Sequence, residues 1–249
     1  MKCKLNGDAT VDGLTEHNGD LAWIVELVNV RKVYKMGEVE VPALNGVNLK
    51  VKTGEFMSVM GSSGSGKTTL LNLIGALDRP TEGKVFINGV DISGLDDDEL
   101  ARLRNREIGF VFQFFNLIPR MTAMKNVELP MAFAGVPREQ RRRRAIELLE
   151  RVGLGDRLSH RPTELSGGEQ QRVAVARALA NTPSIMLCDE ITGNLDTKTG
   201  EEILKLLREL NKEQRQTFVI VTHSLMVARS TDRIAYMRDG AVIKEELLG

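Results

Sequence analysis

Phe56-Met-Ser-Val-Met60-Gly61-Ser62-Ser63-Gly64-Ser65-Gly66-Lys67-Thr68-Thr69-Leu70-Leu71 is the stretch on which the fold turns. It opens with Phe56, Met57, Val59 and Met60, an apolar run of the length of a short buried strand. It continues into Leu70, Leu71, Leu73, Ile74 and Leu77, apolar at helical spacing and ending ahead of Pro80. Between strand and helix lies G-x-x-x-x-G-K-[ST]. Backbone N–H groups can converge on a polyphosphate only where side chains are scarce, which is why the loop is built of Gly and Ser. Gly61, Gly64 and Gly66 are expected to supply positive φ angles and close approach. Lys67 would reach the β- and γ-phosphates, and the Thr68 hydroxyl would take one position on Mg²⁺. Ser62, Ser63, Ser65 and Thr69 complete the candidate loop. A glycine loop can also merely turn, but strand, loop and helix in this order point the helix N-terminus at the phosphates.

A second candidate anion site is Leu165-Ser166-Gly167-Gly168-Glu169-Gln170. Ser166 followed three residues later by Glu169 reads as a capping box, with Ser166 at the N-cap of a helix. Val173, Ala174, Ala176 and Ala178 give that helix a small packed face. Gly167 and Gly168 then fall on its first turn, where glycine is otherwise a poor choice. A cap alone needs no pair of glycines; an anion approaching the exposed N–H groups does.

Soon after, the apolar run Ser184-Ile185-Met-Leu-Cys188 ends in Asp189-Glu190. Ligands of an open parallel sheet bind beyond the carboxyl ends of its strands. Asp189 would there hold Mg²⁺ through water, and Glu190 would polarise a water attacking the γ-phosphorus. Mg²⁺ uses few protein carboxylates, which suits a single Asp. Acids after a strand are also commonly a solvated turn, so this reading leans on the two glycine motifs.

With these motifs in this order, the chain resembles the nucleotide-binding subunits of ABC transporters over about residues 23–247. It looks most like the lipoprotein-releasing and macrolide-exporter branch. The residues that carry this are Phe112-Gln113-Phe-Phe-Asn-Leu-Ile-Pro119, Asn126-Val-Glu-Leu-Pro130 and Thr192-Gly-Asn-Leu-Asp196. The resemblance implies an α/β fold: a P-loop NTPase (RecA-like) core with an antiparallel β subdomain and an inserted helical subdomain at about residues 114–164. It places the domain at residues 22–249, behind an extension at residues 1–21.

Four further roles follow from the resemblance. Tyr34 matches the aromatic that stacks on adenine, although by itself it reads as a partly exposed strand residue. Gln113 matches the glutamine that touches Mg²⁺ and the attacking water, and it opens the segment that meets a membrane partner. Asp196 matches the acid that links two active sites. His223 matches the histidine that contacts the γ-phosphate; a lone histidine after a strand is otherwise more often structural. Two departures stand out: Ile191 where proline usually follows the catalytic Glu, and Ser224 where Asp commonly follows the histidine. Either can slacken the placement of its neighbour, but no reacting group is lost.

The resemblance further implies ATP and Mg²⁺ as cofactors, with ATP sandwiched between residues 61–68 of one copy and residues 166–170 of another. An integral membrane permease would be the partner, and the location would be cytoplasmic, on the inner face of the membrane. A regulatory ATPase of the cell-division type, moving no solute, is the alternative. A soluble ABC protein acting on DNA or ribosomes is disfavoured, because the chain carries neither a long insertion between the motifs nor a second cassette.

Composition agrees with these expectations. Thirty-four basic and thirty-four acidic residues give zero formal charge, which argues against general nucleic-acid affinity. No apolar stretch approaches the roughly 18 residues of a membrane span. The run Arg141-Arg-Arg-Arg144 reads as the solvated face of a helix that buries Ala145, Leu148, Leu149 and Val152; acidic lipid headgroups or a partner loop are the alternative. The two cysteines, Cys3 and Cys188, form no disulfide framework and suit a reducing compartment. Residues 1–20 are polar, lack a signal-peptide core and read as disordered. Asp239-Gly240 between two short apolar runs signals a hairpin.

Overall fold

In the computed structural model, residues 23–37 and 39–248 are described; the expected extension at residues 1–21, with Cys3, lies outside them. The first half of the chain runs β1 (Trp23–Met36), β2 (Val39–Lys52), β3 (Phe56–Met60), α1 (Lys67–Ile74), β4 (Glu82–Ile87) and β5 (Val90–Asp91). Then come α2 (Asp97–Glu107), β6 (Ile108–Phe112), α3 (Ala123–Phe133), α4 (Arg138–Arg151) and α5 (Gly167–Ala178). The chain finishes with β7 (Ile185–Asp189), α6 (Thr197–Gln214), β8 (Thr217–Thr222), α7 (Leu225–Arg229), β9 (Arg233–Arg238) and β10 (Ala241–Leu247).

Two sheets result. The larger has the order β10-β9-β3-β8-β7-β6, parallel throughout except for β10, which pairs antiparallel with β9. The smaller, β2-β1-β4-β5, is antiparallel. Alternation along the parallel strands divides the core. Phe56, Val111, Met186, Cys188, Phe218 and Ile220 face one way, toward apolar residues of α3, α4, α5 and α6. Met57, Val59, Leu187, Val219, Val221 and Ala235 face the other, toward α1 and the antiparallel sheet. Burial on both faces explains why these strands read as near-continuous apolar runs.

Local signals match their elements. Asp96 and Glu99 form a capping box that opens α2. Asp239 and Gly240 both have positive φ, 50° and 75°, and turn β9 into β10 as a two-residue hairpin. Arg142 and Arg143 are exposed on α4, Arg141 and Arg144 are half-buried, and Ala145, Leu148 and Leu149 are buried, so half of the arginine run is a solvated face. Between β6 and α5, helix occupies α3 and α4, with a short 3-10 turn at Pro162–Glu164.

The extent of α1 differs from expectation. The helix ends at Ile74, and Leu77 lies beyond it, 48% exposed. Ala76 has a φ of 50°, which no helix continues, and the Gly75 N–H closes the last turn on the Leu71 carbonyl at 2.7 Å. The stop is thus set well before Pro80.

Candidate nucleotide site

Strands β3, β8, β7 and β6 are neighbours in the large sheet, and every one releases a candidate residue at its carboxyl end. The glycine loop follows β3, His223 follows β8, Asp189 and Glu190 end β7, and Gln113 follows β6. Residues scattered along the sequence are brought to one edge by topology alone.

In the loop, Gly64 and Gly66 have φ of 79° and 97°, as a nest of N–H groups requires. Gly61 is not left-handed; it is glycine because a Cβ there would run into the Met237 backbone carbonyl, with Ser65 Oγ 2.5 Å away. Lys67 is 6% exposed, and its Nζ donates to the carbonyls of Gly61 at 2.9 Å and Ser62 at 2.8 Å. Two of its three donors thereby hold the ammonium across the loop mouth. Ser65 Oγ is buried with no partner in the protein. Thr68, by contrast, is exposed on the first turn of α1.

Asp189 and Glu190 are held differently. The Asp189 carboxyl has its pKa pushed up by burial and by the charge of Glu190, with Lys67 pulling the other way. Glu190 has a φ of 49°. Its N–H donates to the Val221 carbonyl at 3.0 Å, and its carbonyl accepts from the Gly193 N–H at 2.9 Å. The side chain meets His223, with Nδ1 2.5 Å from Glu190 Oε2. His223 is otherwise exposed, 66% for its side chain. A cavity of 220 Å³ is lined by Glu190, His223, Ser224 and Asp196.

Gln113 is clasped by Asn194: its Nε2 donates to Asn194 Oδ1 at 3.4 Å, and Asn194 Nδ2 donates to the Gln113 carbonyl at 3.0 Å. The two loops beyond β6 and β7 are thus tied together. Asn194 lies in the Thr192–Asp196 stretch that carries the resemblance, but nothing in the sequence pairs it with Gln113. Asp196 caps α6, accepting from the Thr199 N–H at 3.1 Å and from its hydroxyl at 2.5 Å, bonds that hold its carboxyl below the usual range. Ser224 caps α7. Serine and aspartate are interchangeable in that task, so the departure at position 224 leaves the cap in place. Ile191 is 2% exposed and packs into the helical side of the core.

The Ser166 helix end is built as expected. The Glu169 N–H donates to Ser166 Oγ at 3.3 Å, and the Ser166 N–H donates to Glu169 Oε2 at 2.8 Å. These bonds to Ser166, assisted by Arg157, keep the Glu169 carboxyl below the usual range. One expectation needs correcting: Gly168 is required by the protein itself. A Cβ there would lie 2.5 Å from Thr199 Cγ2 on α6, whereas at Gly167 the nearest atom would be 3.5 Å away. Among the described residues, Ser166, Glu169 and Gln170 hydrogen-bond to one another, to Arg157 and to Leu165, and to none of residues 61–69.

Tyr34 lies on β1 beside the segment after α1. Its hydroxyl donates to Asp78 Oδ2 at 2.9 Å, and Lys32 Nζ sits 4.9 Å from its ring centroid. Lys32 also pairs with Asp78 at 2.6 Å. Burial and the Asp78 carboxylate raise the pKa of the Tyr34 hydroxyl, while Thr69 acts in the opposite direction. The loop and the tyrosine are therefore close.

Known proteins are similar to this chain in sequence and fold. The family described as ABC transporter matches residues 44–193. An ABC transporter ATP-binding protein of Thermotoga maritima is 59% identical over 219 residues, covering 88% of this chain and 93% of the relative. The macrolide export ATP-binding/permease protein MacB of Syntrophobacter fumaroxidans is 51% identical over 224 residues, 89% of this chain but 31% of its own length. Among solved structures, a dimeric post-hydrolysis state of the ATP-binding cassette MJ0796, bound to ADP and Pi, superposes with a TM-score of 0.83 at 55% identity, covering 90% of this chain and 99% of that one.

Proposed function

The chain belongs to the ABC transporter family, and on that premise we propose how its residues bind and hydrolyse ATP and what the hydrolysis drives. It is an ATP-binding cassette and an ATPase. The loop amides of residues 61–66 and Lys67 hold the β- and γ-phosphates, and Tyr34 stacks on the adenine. Glu190 orients the attacking water, with His223 at its carboxylate and Gln113 closing the far side. In phosphoryl transfer, positioning and charge stabilisation supply most of the rate, so a set of fixed donors around one oriented carboxylate suffices.

Mg²⁺ fits these residues. Asp189 is a partly buried carboxylate beside a second one, with a pKa already pushed up by both conditions, and a cation relieves both. Thr68, Asp189 and Gln113 are the oxygen donors that would hold it. Bound there, it would neutralise charge on the phosphates.

The observation that carries the dimer is the Ser166 helix end. Its N-terminus is capped and open, and it makes no hydrogen bond to the phosphate loop of its own chain among the described residues. In our reading it meets the γ-phosphate held by a second copy. ATP then binds the closed dimer better than the open one, and hydrolysis removes the bridge. The dimeric MJ0796 structure supports this.

The motion drives a separate membrane permease, in export or extraction of a substrate. The MacB relative is a combined ATP-binding/permease protein of which this chain spans 31%, and no helix among the described residues is long and apolar enough to cross a membrane. A cavity of 410 Å³ lined by Leu77, Arg104, Phe112, Asn116 and Arg177 lies beside the segment after Gln113, where Phe114 is 73% exposed. We assign the permease to that groove and the chain to the cytoplasmic face.

Glu190→Gln tests the assignment. With ATP, the variant is expected to elute as a dimer on size exclusion while turning over little. A variant that stays monomeric at high concentration with ATP contradicts it.

A further inference from the structure

Helix α5 reaches into the catalytic turn of its own chain through Gln171. This side chain has no solvent exposure, and its Nε2 donates to the Ile191 carbonyl at 3.1 Å. Its Oε1 has no partner. A buried acceptor left unpaired disfavours the fold, and an apolar side chain of similar length would fill the space without one. The unpaired Oε1 offsets much of what the Nε2 bond contributes, so stability alone is a weak reason for glutamine at this position. The carbonyl it holds is the stronger one.

Ile191 follows Glu190, whose φ of 49° a non-glycine residue keeps only where its surroundings over-determine it. Two bonds fix the Glu190 peptide groups, to Val221 and from Gly193. The next carbonyl is fixed by Gln171 alone among the hydrogen bonds of the described residues. Ile191 has no ring to restrict its own φ, so an external restraint has to do that work. The Glu190 carboxylate, in turn, meets His223 at 2.5 Å, a placement that tolerates little drift.

We propose that Gln171 is a positioning residue for hydrolysis: by holding the Ile191 carbonyl, it sets the direction in which the Glu190 side chain leaves its left-handed turn. This rests on the assignment of Glu190 made above. Gln171 touches neither nucleotide nor water. It acts on Glu190 from behind, through one peptide.

Gln171→Met removes the donor and keeps the volume; Gln171→Asn keeps an amide but draws it back by one methylene. Val173→Ala, a buried core change on the same helix, serves as the structural control. Both Gln171 variants are expected to lower kcat about ten- to a hundredfold, the scale of a misplaced reacting group, with KM for ATP within about twofold and Tm lowered no more than in Val173→Ala. Val173→Ala is expected to lower Tm by several degrees and leave kcat alone. In a Glu190→Gln background, Gln171→Met is expected to leave the ATP-dependent dimer intact. If both Gln171 variants keep the kcat of the original protein while that dimer forms, the role of Gln171 is overturned and the site stands. If kcat falls in the Gln171 variants and falls equally in Val173→Ala at the same loss of Tm, the role is likewise overturned. If Glu190→Gln forms no dimer with ATP, the site assignment itself falls.

Discussion

At the amino end of the six-stranded sheet, Arg233 donates to Glu55 at 2.6 Å and 3.0 Å, to the Lys50 carbonyl at 2.5 Å and to Glu245. Around it, Asn211 bridges the Gly54 and Gln216 carbonyls at 2.8 Å each, Gln216 donates to Pro183, and Ser184 to Glu107. At the carboxyl end of the same sheet, Ser65 Oγ is buried without a partner, Glu190 sits at a φ of 49°, and Asp189 shares space with a second carboxylate. The strands between are equally apolar. The difference lies in what each end is asked to do. Left-handed residues occur at both ends, Thr182 and Arg215 at one and Glu190 at the other, so strain does not separate them. The amino end pairs its polar groups within the protein. The carboxyl end keeps polar groups that a ligand would complete, which is where functional sites depart from local rules.

The largest test of this contrast is Asp189→Asn. It is expected to reduce hydrolysis about 10²–10⁴-fold, as loss of a reacting-site group does, yet raise the Tm of the ligand-free protein slightly. The sign follows from the direction of the shift. Burial and Glu190 raise the folded-state pKa of Asp189, so its ionised form weighs against the fold. Stability from this group therefore falls as pH rises through that raised pKa, and the neutral Asn removes the effect. A drop in Tm would show that the carboxyl end is no more frustrated than the other. Thermal melting across pH 4–8 with both proteins reads it.

Arg233→Ala probes the other end. Arg233 and Glu55 are each 12% exposed at the side chain, and although burial opposes the arginine charge, Glu55 and Glu245 raise its pKa overall. Removing one partner of this part-buried pair is expected to cost about 1–3 kcal/mol in denaturant unfolding, with turnover per folded molecule unchanged. Equal loss of activity would erase the distinction between the two ends. The smallest effect belongs to neither end. Arg142→Ala with Arg143→Ala, on the solvated face of α4, is expected to shift stability by no more than about 0.5 kcal/mol.

What was legible in the sequence was local. The strand-to-loop-to-helix order around Gly61, the capping box at Ser166 and the hairpin at Asp239 each depend on residues within a few positions of one another, so period and turn chemistry reveal them. The parallel sheet then follows from apolar runs separated by helices. What stayed hidden was pairing between loops. Gln113 and Asn194 lie 81 residues apart, Tyr34 and Asp78 44, and Gln171 and Ile191 20, and no periodicity encodes such meetings. Gly168 shows the same limit from the other side. Its glycine looked like a provision for an anion, but the neighbour that demands it is Thr199, placed there by the tertiary packing of α6 on α5. The end of α1 was obscured because the positive φ at Ala76 is imposed by its surroundings and not by a glycine or proline.

In the proposed dimer, residues 61–68 of one copy and residues 166–170 of the other complete a site that neither copy completes alone. Cross-linking tests it directly. One population carries Ser63→Cys, another Ser166→Cys, both exposed positions, each with Cys3→Ser and Glu190→Gln. Mixed under mild oxidation, the two are expected to form a covalent dimer only when ATP is present, while each alone forms little. A mixture that gives no ATP-dependent cross-link, with both chains folded and binding ATP, would contradict the shared site.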